Sequence, residues 1–376
     1  GNISGNLNDS CFLLPLTDTF FEYFTVEDLQ TQMSDGKDMI EMKALAGGSV
    51  SVTLRIPIQK GRYVQYYREY YNSNKPDIEQ NKGAVKEKSF GLGVFPLVKF
   101  NEGTDPYYRI AFLSKQRGCS LSFAQSNVNV ESIKTTRRQP GDNCGVESYV
   151  VENRFSHIYV SADGVKNVIV PQFKQLSNSK IYTFAVDFGT TNTHVEYSVD
   201  GLSTSYPLDI KNAEVQMVRM HSRYSDLDIN GAFADAFVPE TIADGDEYSF
   251  PMRTAFAEYV NIDYNKNTNS LADGNIPFRY EKVETPNYHE VKTDIKWSNR
   301  ESDRVKLYLD NLFLIMRNKV LISGGRLSET KVVWFYPVSM TRARRNEFAN
   351  VWQSLYRKYF GEDVDNNLLT MSESVA

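Results

Sequence analysis

Two hydrophobic rhythms divide this chain. From Ser49 to Ile58 the run SVSVTLRIPI sets Val50, Val52, Leu54, Ile56 and Ile58 at every second position, the period of a half-buried strand. In ESDRVKLYLDNLFLIMRNKVLISGG, apolar Val305, Tyr308, Leu309, Leu312, Ile315 and Met316 recur three or four apart. That spacing predicts a buried helix of about five turns, stopped at Gly324-Gly325. Strands first and helices later point to an α+β chain of several domains. A length of 376 residues leaves room for two or three cores.

The first half reads as strands throughout. Pro57 puts its strand at an edge or near an end. YVQYYREYY, VFPLVKF, YYRIAFL, SYVVENRFSHIYV and VKNVIV follow, separated by polar, breaker-rich loops at Asn72–Ser89 and Ser114–Glu147. With 23 tyrosines and 22 phenylalanines, the chain has the aromatic content of a sheet protein. Residues 1–178 are therefore expected to form a mainly antiparallel β module, preceded by a short helix around Val26–Met33. Tyr63, Tyr66, Tyr67, Tyr70 and Tyr71 form either a binding face or, as aromatic strands more often do, part of a core.

Residues 179–376 alternate differently. A strand pair at Ile181–Gly201 precedes an irregular acidic stretch, Asn212–Glu290. The long helix comes next, then KVVWFYP, an apolar run expected to be buried on both faces. TRARRNEFANVWQSLYRKYFG sets Phe348, Val351, Trp352, Leu355 and Tyr359 on one helical face, with Thr341 as N-cap and Gly361 at the end. NNLLTMSESVA closes as a strand. Hairpin, helix, strand, helix, strand is an α/β order.

Several function classes lose support. A net charge of −5 without a basic run gives no electrostatic footprint for nucleic acid. No stretch approaches the roughly 20 apolar residues of a membrane span. Cys11, Cys119 and Cys144 are too few and scattered for a disulfide framework or a CxxC zinc site, although Cys119 and Cys144 could pair if the fold joined them; a reducing cytoplasm is the expected compartment. The opening Gly-Asn-Ile-Ser lacks methionine and reads as a processed start. The histidines His157, His194, His221 and His289 show no metal-ligand spacing. DLDINGAFADAF sets Asp226, Asp228, Asn230 and Gly231 as in an EF-hand loop, but Phe237 stands where a bidentate Glu is needed.

The hairpin raises a sharper question. Its strands are joined by Asp187-Phe188-Gly189-Thr190-Thr191-Asn192-Thr193, whereas a hairpin that only has to turn commonly needs two residues. A tight loop that aims backbone N–H groups and hydroxyls at one point holds phosphate. Gly189 would allow close approach, the threonines add donors, and Asp187 is placed for magnesium. A lone DxGT turn more often satisfies only its own backbone.

The turn does not stand alone. The chain resembles the actin-like ATPase superfamily, most closely the seventy-kilodalton heat-shock chaperones and the bacterial actin homologues, whose first phosphate loop reads Asp-Leu-Gly-Thr-Thr-Asn-Ser after an apolar strand. Asp187, Gly189, Thr190, Thr191 and Asn192 match it; Phe188 and Thr193 replace Leu and Ser. VVWFYPVSMTRARR resembles the family's strand, Val-Pro and helix, matching Pro337 and Arg345 to the pair that relays nucleotide state between domains. LLTMSESVA resembles the strand ending Asn-Glu-Pro-x-Ala, which sets Glu373 at the catalytic or water-orienting glutamate; Ser374 replaces the proline. VKTDIKWS resembles the segment with the catalytic lysine, matched by Lys296 with Lys292 in reserve.

The resemblance implies a ribonuclease H-like lobe that binds ATP and magnesium. It covers the first lobe only: the later Asp-x-Gly-Gly-Gly-Thr loop and glycine-rich adenosine contact are not found. Half a nucleotide site implies weak ATP binding and poor turnover by this chain alone. The resulting expectation is a chaperone-like or actin-like ATPase lobe joined to a β module that contacts a protein partner. The alternatives are a non-enzymatic interaction protein on a degenerate ATPase fold, and a small-molecule kinase of the same superfold. Three arginines, Arg342, Arg344 and Arg345, open the second helix against its dipole, so an acidic group is expected to face at least one of them.

Overall fold

A computed structural model describes residues 2–3, 13–73, 75–85, 90–114, 119–138, 145–211, 218–220, 238–245, 248–264, 271, 273–278, 289–297 and 302–373. The EF-hand-like loop, Cys11, Cys144 and Ser374 lie outside them. Within them no helix is long and apolar enough to cross a membrane, and Cys119 is a free thiol.

The N-terminal half is strand-rich. One five-stranded sheet runs in the order Asn2–Ile3, Val165–Pro171, His157–Ala162, Ser120–Gln125, Val128–Val130; another runs Ile133–Arg138, Gly145–Val151, Tyr108–Ser114, Phe90–Phe95, Val218–Met220. The last of these strands comes from far along the sequence and pairs antiparallel with Phe90–Phe95. A four-stranded sheet joins Ile40–Ala44, Val50–Pro57, Tyr63–Asn72 and Lys82–Val85. Pro57 ends its strand, which lies inside the sheet.

Three expectations change here. The stretch Ser114–Glu147, read as a loop, carries strands at Ser120–Gln125, Val128–Val130 and Ile133–Arg138. Its signal is short: only Leu121 and Phe123 alternate inward, among serines that mimic a turn. Lys82–Val85 likewise forms a strand inside the loop expected at Asn72–Ser89. The helix expected at Val26–Met33 is a single 3-10 turn, Asp28–Gln30, and the α-helical turn falls earlier, at Asp18–Phe21.

The C-terminal half is mixed α/β. Its sheet orders Tyr206–Pro207, Asn192–Val199, Tyr182–Phe188, Lys331–Tyr336 and Leu368–Ser372, with Met252–Arg253 also paired to Asn192–Val199. The two hairpin strands are antiparallel, whereas Tyr182–Phe188, Lys331–Tyr336 and Leu368–Ser372 run parallel. The long helix spans Ser302–Ile322 and the second helix Arg342–Tyr359. Thr341 caps the second helix by accepting from Arg344 N–H at 3.3 Å.

Packing explains which apolar positions matter. Trp334 of the central strand stacks on Trp352 of the second helix at 5.4 Å and 6°, and Trp352 meets Phe313 of the long helix edge-on. The central strand buries Val332 and Trp334 but leaves Val333, Phe335 and Tyr336 half-buried, so one face is sealed, not two. The long helix is buried on all sides from Tyr308 onward, because both halves of the chain meet it: Arg109 reaches Asp310 from the N-terminal half, while Gly274 and Asp209 reach Asn311 and Lys319. Arg317, 2% exposed, donates to the carbonyls of Tyr359 (3.0 Å), Tyr107 (3.3 Å) and Asp105 (2.6 Å). One apolar core runs from Leu92 and Phe112 through to Val186 and Trp352.

Candidate functional site

The hairpin strand Tyr182–Phe188 alternates as its sequence demands. Tyr182, Phe184, Val186 and Phe188 are buried and Asp187 is exposed at the end. Phe188 pairs with Thr193 and Asp187 with His194 across the hairpin. Between the strands, Gly189 has a steric reason to be glycine: a Cβ there would lie 2.4 Å from the Asn192 carbonyl oxygen, a contact no side chain tolerates.

The threonines divide into two groups. Thr190 is half-buried and accepts from the Trp297 indole N–H at 2.5 Å; Thr191 and Asn192 are exposed. Thr193 is 0% exposed, with its hydroxyl 2.8 Å from that of Thr254. The Thr254 hydroxyl gives its proton to the Gly189 carbonyl at 2.7 Å, so across the Thr193–Thr254 contact Thr193 donates.

Lys296 and Glu373 meet in space, and the charge of Asp187 reaches the lysine. Lys296 is 3% exposed, with Nζ 3.8 Å from Glu373 Oε1. Burial holds its ammonium pKa below the ordinary lysine value, against the opposing pull of Glu373 and then Asp187. Its Nζ also lies 5.8 Å from the Phe188 ring centroid and 5.5 Å from that of Trp297. The lysine matched to the family's catalytic lysine is thus an interior cation paired with one acid, Glu373, and felt by a second, Asp187. Lys292, the reserve, pairs instead with Glu290 at 2.5 Å.

Neighbouring elements hold these groups in place. Arg344 Nη2 donates to the Lys296 carbonyl at 3.0 Å, and Glu373 N–H donates to the Tyr336 carbonyl at 3.0 Å. Arg345 donates to the Tyr336 hydroxyl at 3.2 Å, next to Pro337, whose carbonyl accepts from Met340 N–H. The acid facing the arginines is Glu347, 3.0 Å from Arg344 Nη1 on the same helix. All of this lies at the carboxyl ends of Tyr182–Phe188, Lys331–Tyr336 and Leu368–Ser372. There the strand order reverses, the chain going from Tyr182–Phe188 to one side at Asn192–Val199 and resuming on the other at Lys331–Tyr336, the place where open α/β sheets bind ligands.

Sequence reading missed Thr254, Trp297 and Arg344 as contacts of this cluster. Trp297 stood beside a matched lysine and Arg344 beside a matched arginine, but nothing near Thr254 marks it. Among the described residues, this cluster included, no group of three or more His, Cys, Asp or Glu is arranged for a metal. His157 is buried against Phe21, and His194 meets Glu196 at 3.1 Å.

No protein family and no curated protein matches the chain significantly. Among solved structures, MreB5 of Spiroplasma citri bound to ADP is similar at 13% identity and a TM-score of 0.24, over 51% of this chain and 38% of that one. The match therefore spans well under half of the bacterial protein, and a superposition at that score fixes neither ligand nor activity.

Proposed function

We propose that residues 179–376 form the first lobe of an actin-like ATPase site, with a magnesium nucleoside triphosphate held at the Asp187–Thr193 turn. One observation carries this reading. Lys296 and Glu373, assigned separately along the sequence from the resemblance, pair at 3.8 Å, with Asp187 at the end of the hairpin strand acting on the same lysine by its charge.

Each residue has a part that its surroundings suit. Turn N–H groups and the Thr190 and Thr191 hydroxyls take phosphate oxygens, while Thr193 braces the turn from inside. Lys296 places a buried positive charge beside them. Glu373 accepts from, and so orients, the attacking water; phosphoryl transfer asks mainly for such positioning and charge neutralisation. Asp187 is an exposed carboxylate that belongs to no metal-holding group of three or more His, Cys, Asp or Glu among the described residues. It fits a magnesium ion that arrives with its phosphates and waters, and does not fit an all-protein cage. Bound there, magnesium would neutralise phosphate charge. Pro337 and Arg345, joined through Tyr336, are the relay toward a second lobe, which would hold the base.

The N-terminal β module is proposed to contact a protein partner through its tyrosine strand, where Tyr66 is 61% exposed and Tyr67 is exposed beside it. Calorimetric titration of residues 1–376 with Mg-ATP tests the half-site reading. The expected dissociation constant is on the order of 1 mM, about −4 kcal/mol. Micromolar affinity would overturn the need for a second lobe, and no heat at 10-fold higher concentration would overturn nucleotide binding.

A further inference from the structure

Thr254 reaches the hairpin turn from a segment 61 residues beyond Thr193 and touches it at three points. Its hydroxyl donates to the Gly189 carbonyl at 2.7 Å, its oxygen accepts from Thr193 at 2.8 Å, and its N–H donates to the Thr191 carbonyl at 2.8 Å. It is 1% exposed. The approach is built in: Met252 and Arg253 pair with Thr193 and Asn192. Ala255 N–H then closes back on the Arg253 carbonyl at 2.9 Å, a tight bend centred on Thr254. Ala255 and Phe256 follow into the core, both 0% exposed.

Peptide geometry gives these contacts a consequence. A trans peptide is planar, with C=O and N–H on opposite sides. Turning the Gly189 and Thr191 carbonyls toward Thr254 therefore turns the N–H groups of Thr190 and Asn192 away from it. We propose that Thr254 is the positioning residue of this turn, setting those two N–H dipoles outward for an anionic oxygen. It touches no ligand itself. The ligand in this inference rests on the nucleotide reading above; the clamp does not. Valine has nearly the same shape and would fill the same space, but it would leave the Gly189 carbonyl and the Thr193 hydroxyl without their partner.

Thr254→Val and Thr254→Ser, compared with the unaltered chain, test it by amide hydrogen exchange and by titration with Mg-ATP. The clamp predicts that Thr254→Val speeds exchange at residues 189–193 by at least tenfold while the long helix Ser302–Ile322 keeps its protection. It also predicts Mg-ATP affinity about tenfold weaker in Thr254→Val and within twofold of the unaltered chain in Thr254→Ser. Unchanged exchange in the turn, faster exchange throughout the molecule, or no rescue by serine would each overturn it. Local loosening rescued by serine, in a chain that binds no Mg-ATP at all, would uphold the clamp and overturn the nucleotide reading.

Discussion

Replacing Lys296 by methionine should leave the protein as stable at pH 7 as before, or more stable. Methionine keeps most of the buried apolar stem and removes the charge. What is lost is an ion pair at 3.8 Å to an exposed Glu373, worth at most about 1 kcal/mol. What is relieved is the burial of an ammonium: Glu373 reaches solvent and is not left as a buried unpaired charge, so the change behaves as apolar replacement of a buried ion pair, neutral or stabilising by about 1–4 kcal/mol. The net expectation for Lys296→Met is a gain of roughly 0–3 kcal/mol. The pH dependence supplies the sign. Because burial lowers the folded-state pKa below the ordinary value of 10.5, the unfolded chain binds the proton more tightly. The unaltered protein therefore gains stability as pH rises from the folded toward the unfolded pKa. Lys296→Met has no such group, so its advantage shrinks as that window is crossed. Urea denaturation at pH 7 and pH 10, with equal m-values, measures both effects. A loss of more than 1 kcal/mol at pH 7, or a gap that does not narrow by pH 10, would refute the account of Lys296 as a charge held against its own solvation.

Other perturbations bear on different parts of the structure. Arg317→Met strips donors from the buried Tyr107 and Tyr359 carbonyls, at about 1–3 kcal/mol each; urea melts should show a loss of roughly 2–6 kcal/mol, and a loss below 1 kcal/mol would contradict the bridging role. Gly189→Ala puts a Cβ 2.4 Å from a backbone oxygen and should cost about 1–3 kcal/mol while shifting the Trp297 indole resonance; an unshifted indole would mean that the turn absorbs the methyl group. Burial pushes His157 down to about 4, against Asp18, which raises it. Its contribution is complete above pH 6.5 and is lost as pH falls toward 4, up to about 3 kcal/mol. His157→Phe should flatten that part of the pH profile, and an unchanged slope would contradict it.

How much of this the sequence disclosed follows from where each signal resides. The hairpin, the long helix, the capped second helix and the last strand rest on local periodicity or caps, and the structure places them at Tyr182–Val199, Ser302–Ile322, Arg342–Tyr359 and Leu368–Ser372. Burial on a second face is non-local. Nothing in LDNLFLIMRNKVLI says that Asp310, Arg317 and Lys319 will be covered, because Arg109 and Tyr107, which meet Asp310 and Arg317, lie some two hundred residues earlier and Asp209, which meets Lys319, lies 110 residues earlier. The central strand shows the reverse, with an apolar run that seals only Val332 and Trp334. At the site, the turn was visible as a motif and Lys296 and Glu373 through the resemblance. The burial of Lys296 in a polar-looking VKTDIKWS was not, and neither was Thr254, whose importance is a contact across 61–65 residues.

The most direct measurement is the Trp297 indole N–H resonance, whose proton is bonded to Thr190 at the hairpin turn, followed while Mg-ATP is added to the unaltered chain and to Lys296→Met. The account predicts a saturable shift in the millimolar range for the unaltered chain, no shift with magnesium alone, and loss of the shift in Lys296→Met while the fold persists. An unaltered chain whose indole does not move, or a shift of the same size and midpoint in both proteins, would contradict a phosphate site built on this turn and lysine.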